Sequence, residues 1–586
     1  EVKELEARSQ KYGKLSEDLF YLLQAIPDEK LVDVALWMTG VDPKQISEKL
    51  KADFPEVGAQ HFADGIPVDS EGKPVKLEKE KSKKIQEKYR YYLNEGIGEQ
   101  KIPIIQYLRE LGYGPIDVIG MPMIEVKLSK RDIIFVNRLP WDNLTSIFNN
   151  LVDPQSDATM EVVNGTIHTS AVWNLGYPGS FIHIGVADSG VITTNPMHPA
   201  LNGKIEEAKE NLSNDTHAGY VTGVIVGDDD NRPYKGVAYD NNWIYSTKID
   251  TLVEDLGWLA DRTSLVNGSI SFDASRNMLT SDRVFDYFSR SRNILFVIAA
   301  GNDSGEGFNV RSPAKSYNSI SVGAFDSQDD TSWNDTMAGF SCWIDPYIDG
   351  QTNSGDREKP EVAAVGVSVE VPNIDTGLYD FQSGTSLAAP QVTGLANLLM
   401  NRDWDLQNFP PTVKAIIMAS AINNIEGDKR LSEQDGAGGI DVATAFSIFD
   451  AGGYMNIVWP DINQIFPDSG STINFYSWNM TNGSLYARSG QRIRAVISWE
   501  SNPNAQHTFD PLSTDLDLIV FGPSGVFVAS SLSFDNNYEI VDFIAPETGN
   551  YRIQVRAWKR SQESANLGFG LAWISINNIH LPLIIR

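Results

Sequence analysis

Three stretches in the middle of the chain are apolar at almost every position rather than at every second one: FIHIGVAD (181–188), NILFVIAAG (293–301) and SISVGAF (319–325). A strand with one wet face alternates polar and apolar residues. A strand apolar throughout must be covered on both faces, as happens inside a parallel sheet flanked by helices. Helical segments separate the three runs, so an α/β architecture is predicted over residues 155–450. In open sheets of this kind, the residues that act on ligands stand just beyond the carboxyl ends of the strands. Asp188 and Asn302 occupy such positions.

A chain of 586 residues exceeds one ordinary core, and the pattern changes on either side of the middle. Residues 1–150 are rich in lysine and glutamate. KLVDVALWMTG (30–40) reads as a strand, KLEKEKSKKIQEKYRYYLNEG (76–96) as a solvated helix and KIPIIQYLRELG (101–112) as a second helix. Two strands follow in PIDVIGMPMIEVKLS (115–129), then a helix in KRDIIFVNRL (130–139) and a strand in DNLTSIFNN (142–150). With the lysine-rich insert at 41–100 set aside, the order is β-α-β-β-α-β, the ferredoxin-like arrangement. Residues 455–586 show short strands between Gly, Pro and Asn turns and no convincing helix, which predicts an all-β sandwich or jelly roll.

The 77 acidic and 48 basic residues leave a net charge of −29. Such a chain is ill suited to nucleic acid or anionic membrane as its main partner. No apolar run reaches the roughly 18 residues that a membrane span needs. A single cysteine, Cys342, rules out an intramolecular disulfide. The first residue is Glu1 rather than Met, so an upstream segment, with a signal peptide among the candidates, is expected to have been removed and the protein to be secreted.

The segment FQSGTSLAAPQVTGLANLL (381–399) carries a glycine, then Ser386, then an apolar helix expected to start on proline. Read plainly, it is a helix cap. Read chemically, it presents a hydroxyl at the positive end of a helix. A serine hydroxyl needs a base before it can attack. Among seven histidines, His217 opens HAGYVTGVIVG (217–227), whose small and apolar residues recur at helical spacing. The base needs a carboxylate to orient it, and Asp188 ends the first apolar strand. Acyl transfer also needs a donor for the developing oxyanion, and Asn302 follows a strand and a glycine in FVIAAGNDSG (296–305). Taken singly, each residue has an ordinary structural reading as a cap, a core histidine or a turn.

Together, VADSGV, HAGYVTG, AAGN and GTSLAAPQVTG resemble, in that order, the four motifs of the subtilases, the subtilisin-like serine proteases. HPAL (198–201) and KPEVAAVGV (359–367) resemble further signatures of that family, and the likeness spans residues 155–450. Ala218, Tyr220 and Gln391 depart from the commoner residues, but none belongs to the four. The resemblance implies a subtilisin-like parallel sheet and a secreted serine endopeptidase acting on polypeptides without a catalytic cofactor. Ser386 would be the nucleophile, His217 the base, Asp188 its orienting carboxylate and Asn302 the oxyanion donor.

The resemblance further implies that NGSIS (267–271) is the edge strand that pairs with substrate. Ser269, Ile270 and Ser271 would face Ala300 and Gly301 across the pocket for the residue before the cut. No charge stands in either segment, so an apolar or neutral side chain is expected there. Residues 1–150 resemble a subtilase propeptide of ferredoxin-like fold, an intramolecular inhibitor that the enzyme would cut from itself within the linker NNLVDPQSDAT (149–159). Residues 455–586 resemble the jelly-roll modules appended to secreted proteases. The alternative is a binding or adhesion protein in which the protease fold is a carrier. Asp515, Asp517, Asp535 and Glu539, and separately GDDDN (227–231), offer oxygen ligands suited to a structural calcium ion. They match no fixed-spacing motif, and acidic surface loops account for them equally well.

Overall fold

The computed structural model describes residues 12–576, apart from 150–154, 157–163, 459–468, 476–484, 504–509, 560–567 and shorter breaks. The apolar runs form the middle of an eight-stranded sheet. Its spatial order is Thr336–Met337, Ile320–Asp326, Leu295–Ala299, Leu265–Gly268, Ile184–Asp188, Ile244–Lys248 and Ile205–Ala208, with Val362–Val365 also paired to Ile320–Asp326. Every pairing is parallel except that of Thr336–Met337. Helices Thr216–Val226 and Thr385–Arg402 cover one face, against Ile184, Val186, Leu265 and Val297. Helices Leu252–Ala260 and Thr280–Arg292 cover the other, against Ala187, Val266, Phe296 and Ile298. The continuous apolar runs are explained by this double cover. The register sets Ala187, Gly268 and Ile298 level with one another, so Asp188, Ser269 and residues 299–302 leave the sheet along one edge.

The N-terminal sheet has the order Ile116–Asp117, Met123–Ser129, Leu31–Met38, Leu144–Asn149, all antiparallel, as the ferredoxin-like reading requires. Val32, Val34, Leu36 and Met38 on one face pack with Ile104, Leu108, Ile133 and Val136 of its helices. The two helices expected at 76–96 and 101–112 are one, Lys79–Glu110, which continues through Pro103. Loss of one N–H bond at the proline is offset by burial of Ile97, Ile104 and Leu108 around it. The insert adds the helix Pro43–Asp53 and a small hairpin, packed on the first half of that long helix through Ile46, Leu50, Phe62 and Ile85. The second face of the sheet, with Ala35, Trp37 and Met123, sits on Leu252, Val253, Phe285 and Phe288, and the Trp37 ring lies 4.8 Å from that of Tyr287.

The C-terminal strands form two antiparallel sheets. One has the order Gly453–Val458, Gly568–Ile576, Arg492–Trp499, Tyr538–Ile544. The other has the order Thr472–Phe475, Arg552–Lys559, Asp515–Phe521, Phe527–Ser531. Ile493, Ile497, Leu516, Leu518, Ile553 and Val555 fill the space between them. The outer face of the first sheet is not wet: Val496, Ile540, Ala572 and Ile574 join the same core as the wholly buried helix Pro410–Ser420. A boundary at 450–455 therefore divides the chain but not the hydrophobic core.

Charges are sealed into this shared layer. The Lys414 ammonium donates to the carbonyls of Tyr317 and Ser319 at 3.0 Å and to Glu361 at 2.8 Å. Arg494, with no exposed surface, donates to Asp542 at 2.8 Å and to the carbonyls of Ala421 and Ala437. Truncating one partner of a buried pair strands the other, at a cost of about 3–5 kcal/mol. Arg494→Ala is expected to lose stability of that order and, because the core is shared, to unfold in a single transition in urea followed by tryptophan fluorescence. Two separate transitions in the wild type, or no measurable shift in the variant, would show that the sandwich stands alone.

Candidate active site

Asp188 is the last residue of its strand and is fully buried. A carboxylate there is costly unless it is strongly hydrogen-bonded. Its Oδ1 accepts from the backbone N–H of Ser189 and from His217 Nδ1, both at 2.7 Å. His217 stands in the first turn of Thr216–Val226, whose start is fixed by Asp215: the Asp215 carboxylate accepts from Ala218 N at 2.9 Å. With Nδ1 donating to Asp188, Nε2 is the nitrogen able to take a proton. Asp188, Asp215 and His217 place ligand atoms within 4.8 Å of one another, yet Asp215 already serves as the helix cap and Nδ1 as the donor to Asp188.

The helix that carries Ser386 begins at Thr385, so the expected start on proline is corrected: Pro390 lies inside it. Pro390 has no N–H to give to the carbonyl four residues back. That carbonyl belongs to Ser386, and it accepts instead from Ser269 Oγ at 2.6 Å. The Ser269 hydroxyl accepts from Asn267 Nδ2 at 2.9 Å, and Asn267 Oδ1 accepts from Thr393 Oγ1 at 2.9 Å. The helix is thus tied to the edge strand both at its start and two turns on.

Asn302 Oδ1 accepts from both the N–H and the hydroxyl of Thr385 at 2.9 Å. A backbone N–H can only donate, so the orientation of the carboxamide is determined and Nδ2 is left as its donating end. Thr385 Oγ1 also receives Gly301 N at 3.1 Å. The structure brings Asp188, His217, Asn302 and Ser386 to one sheet edge, with Ser269, Ile270, Ser271, Ala300 and Gly301 beside them.

Along that edge Ile270–Ser271 pairs antiparallel with Gln155–Ser156, Ile270 opposite Ser156 and Ser271 opposite Gln155. Residues 150–154 and 157–159 of the linker expected at 149–159 lie outside the described residues. The model of the subtilase family matches residues 179–438. This stretch is a subtilase-family domain.

Across 337 residues, 54% of this chain and 30% of the relative, this chain is 27% identical to "Subtilisin-like protease SBT6.1" of Arabidopsis thaliana. It is 25% identical over 299 residues to the "Membrane-bound transcription factor site-1 protease" of Homo sapiens, covering 49% of this chain and 27% of that one. Subtilisin of Bacillus pumilus is 27% identical over 254 residues, 40% of this chain and 82% of subtilisin. The chain spans less than a third of the length of the first two.

The structure bears on two further expectations, the neutral pocket and calcium. The apolar or neutral pocket was read from the two wall segments alone. The structure adds Arg311, which lies against Gly301. The signal was the arginine of NVRSP, in the loop beyond Asn302. The second concerns calcium. No three of Asp515, Asp517, Asp535 and Glu539 bring ligand atoms together, the one such group among the described residues being that of Asp188, Asp215 and His217. Asp517 is paired with Arg556, Asp535 lies against Asp356, and Glu539 accepts from Ser533 N at 2.6 Å. In GDDDN, Asp229 accepts from the Tyr379 hydroxyl at 2.9 Å and Asp228 lies 3.7 Å from Lys235, while Asp230 and Asn231 fall outside the described residues.

Burial pushes Glu539 up to about 9 and, with Asp517 nearby, Asp515 up to about 7. Both groups hold a proton more tightly folded than unfolded, so the stability they contribute is present at low pH and is lost as pH climbs through their folded values. The melting temperature of the wild type is expected to fall between about pH 5 and about pH 9. Glu539→Gln, which cannot ionise, is expected to fall less over the same range in calorimetry. Parallel pH profiles would show that Glu539 is already ionised in the fold.

Proposed function

We propose that this chain is a secreted serine endopeptidase that hydrolyses peptide bonds through an acyl-enzyme and is made as a proenzyme that cuts itself. The observation that carries the chemistry is the 2.7 Å bond between His217 and the buried Asp188, at the sheet edge where the helix of Ser386 begins. Ser386 Oγ attacks the scissile carbonyl while His217 Nε2 takes its proton. Asp188 holds the imidazole in the needed tautomer and stabilises the imidazolium. Asn302 Nδ2 and the Ser386 N–H receive the developing oxyanion. His217 then gives the proton to the leaving amine, and water, activated by the same base, releases the acyl group.

Self-processing is supported by the pairing of Gln155–Ser156 with Ile270–Ser271. An extended segment added to a sheet edge is how a peptide is read through its backbone. Here the added segment is the chain's own, which raises its effective concentration at Ser386. The N-terminal domain is the corresponding inhibitor, seated on Leu252–Ala260 and Thr280–Arg292 through Trp37. Secretion is part of the same reading, carried by the family resemblance. No helix among the described residues is long and apolar enough to cross a membrane. No observation at the site favours the carrier reading.

Ser386→Ala is expected to abolish both hydrolysis of casein and labelling by a fluorophosphonate, and to leave the chain uncut, while its circular dichroism stays that of the wild type. Asn302→Ala is expected to keep the label and lose about 10²–10³ in kcat. Undiminished hydrolysis by Ser386→Ala, free of other proteases, would refute the assignment of the nucleophile. Equal cutting of that variant's own linker would refute self-processing.

A further inference from the structure

We propose that Ser269 is a positioning residue for Ser386, through which a peptide lying along Ile270–Ser271 brings the nucleophile into line. This rests on the peptidase reading above and adds the substrate class: extended polypeptide, preferred through kcat over short peptides that end in the same residue.

The strand that leads to the site has a fixed part and a free part. Leu265–Gly268 is held on both sides, with Gly268 opposite Ala187 on one neighbour and Ile298 on the other. Past Gly268 the chain leaves the sheet. Ile270 and Ser271 then pair antiparallel with Ser156 and Gln155, an extended segment in the place that the peptidase reading gives to substrate. Ser269 stands between the two parts, fully buried.

The Ser269 hydroxyl donates to the Ser386 carbonyl at 2.6 Å and accepts from Asn267 Nδ2 at 2.9 Å. In an unbroken helix that carbonyl would accept from the N–H four residues on, but the residue there is Pro390, which has none. The Ser269 hydroxyl stands in for it. Asn267 belongs to the fixed part of the strand, and its Oδ1 accepts from Thr393 Oγ1 at 2.9 Å. One end of the relay is therefore anchored on the sheet and on the helix of Ser386 two turns on. The other end, the backbone of Ser269, runs straight into the residues that a peptide pairs with. Ser269 is the joint between the substrate edge and the peptide unit of the nucleophile.

A strand edge gains order when a second strand pairs with it, since its N–H and C=O groups then have fixed partners. Ordering Ile270–Ser271 narrows the positions open to Ser269 and, through the 2.6 Å bond, those open to the Ser386 carbonyl. That carbonyl and the Ser386 hydroxyl hang from one Cα, so setting the first sets the second. Attack depends steeply on such alignment, and a misplacement of about 1 Å can cost about 10²-fold in rate. Contacts remote from the scissile bond are then realised in the transition state rather than in the bound ground state, and they raise kcat.

The test uses the full chain, allowed to mature, and acetylated p-nitroanilides that end in leucine and carry zero, one, two or three alanines before it. The first is too short to form the two-residue pairing seen with Gln155–Ser156. From the shortest to the longest, the wild-type kcat is expected to rise by about tenfold or more, with a smaller change in KM. Ser269→Ala, its fold checked by circular dichroism, is expected to lose that rise, so that elongation lowers KM and leaves kcat level. A role in stability alone would lower kcat for all four substrates by one common factor. That outcome overturns the proposal, and so does a wild-type series in which only KM changes. Labelling by a fluorophosphonate, which is too small to pair with Ile270–Ser271, separates the two readings. A labelled wild type with a level kcat sinks the coupling alone, and an unlabelled wild type sinks the peptidase reading and the coupling with it. Should Ser269→Ala fail to fold, the wild-type series still decides: a kcat that climbs with length supports the coupling, and a constant kcat overturns it.

Discussion

A helix sunk to its full width inside a protein must satisfy every polar group it carries from within the molecule. Thr385–Arg402 is buried from Thr385 to Met400 and still includes Thr385, Ser386, Thr393 and Asn397. While the Asn397 amide is left without a hydrogen bond, the line from Thr393 through Asn267 and Ser269 back to the Ser386 carbonyl answers that demand for Thr393 and Ser386. So does the double bond of Thr385 to Asn302. These are the same bonds that fix where the Ser386 hydroxyl and the Asn302 amide stand. Core stability and site geometry are one requirement here, and even Pro390 serves both by leaving the Ser386 carbonyl free for Ser269.

Much of this was legible in the sequence because the signals were local or periodic. Continuous apolar runs told of a doubly covered sheet, and the residues beyond their ends were the ones that meet at its edge. The β-α-β-β-α-β order survived a long insert because topology depends on order and not on spacing. What escaped was set by contacts distant in sequence. Arg311 joins the pocket through backbone bonds to Ala300 and, through Ser312, to residues 272–273, and nothing in either wall segment announces it. Asp517 looked like a cation ligand because its partner, Arg556, lies on a neighbouring strand.

The C-terminal strands held a signal that was present but unread. GFGLAWISI runs apolar with little alternation, the same sign that marked the central sheet, and for the same reason: a second layer covers its far side. That layer is Pro410–Ser420. The charges locked between the two, Lys414 with Glu361 and Arg494 with Asp542, tolerate little sliding, because burial leaves neither pair water to replace a lost contact. The sandwich is therefore a wall of the catalytic core as much as a neighbour to it.

The N-terminal domain holds the rest of the molecule at two separate places, the aromatic patch around Trp37 and the short strand at Gln155–Ser156. While the chain between them is whole, these act as a two-point grip, in which each contact returns quickly whenever the other is still closed. A single break in the backbone beside the strand would turn that grip into two independent attachments. The strand, pairing over only two residues, would exchange readily with other peptides at the cleft. The broad patch would let go on its own slower clock. Occupancy of the cleft and departure of the domain would then be timed by different surfaces, and a substitution at Trp37 could shorten the second without touching the first.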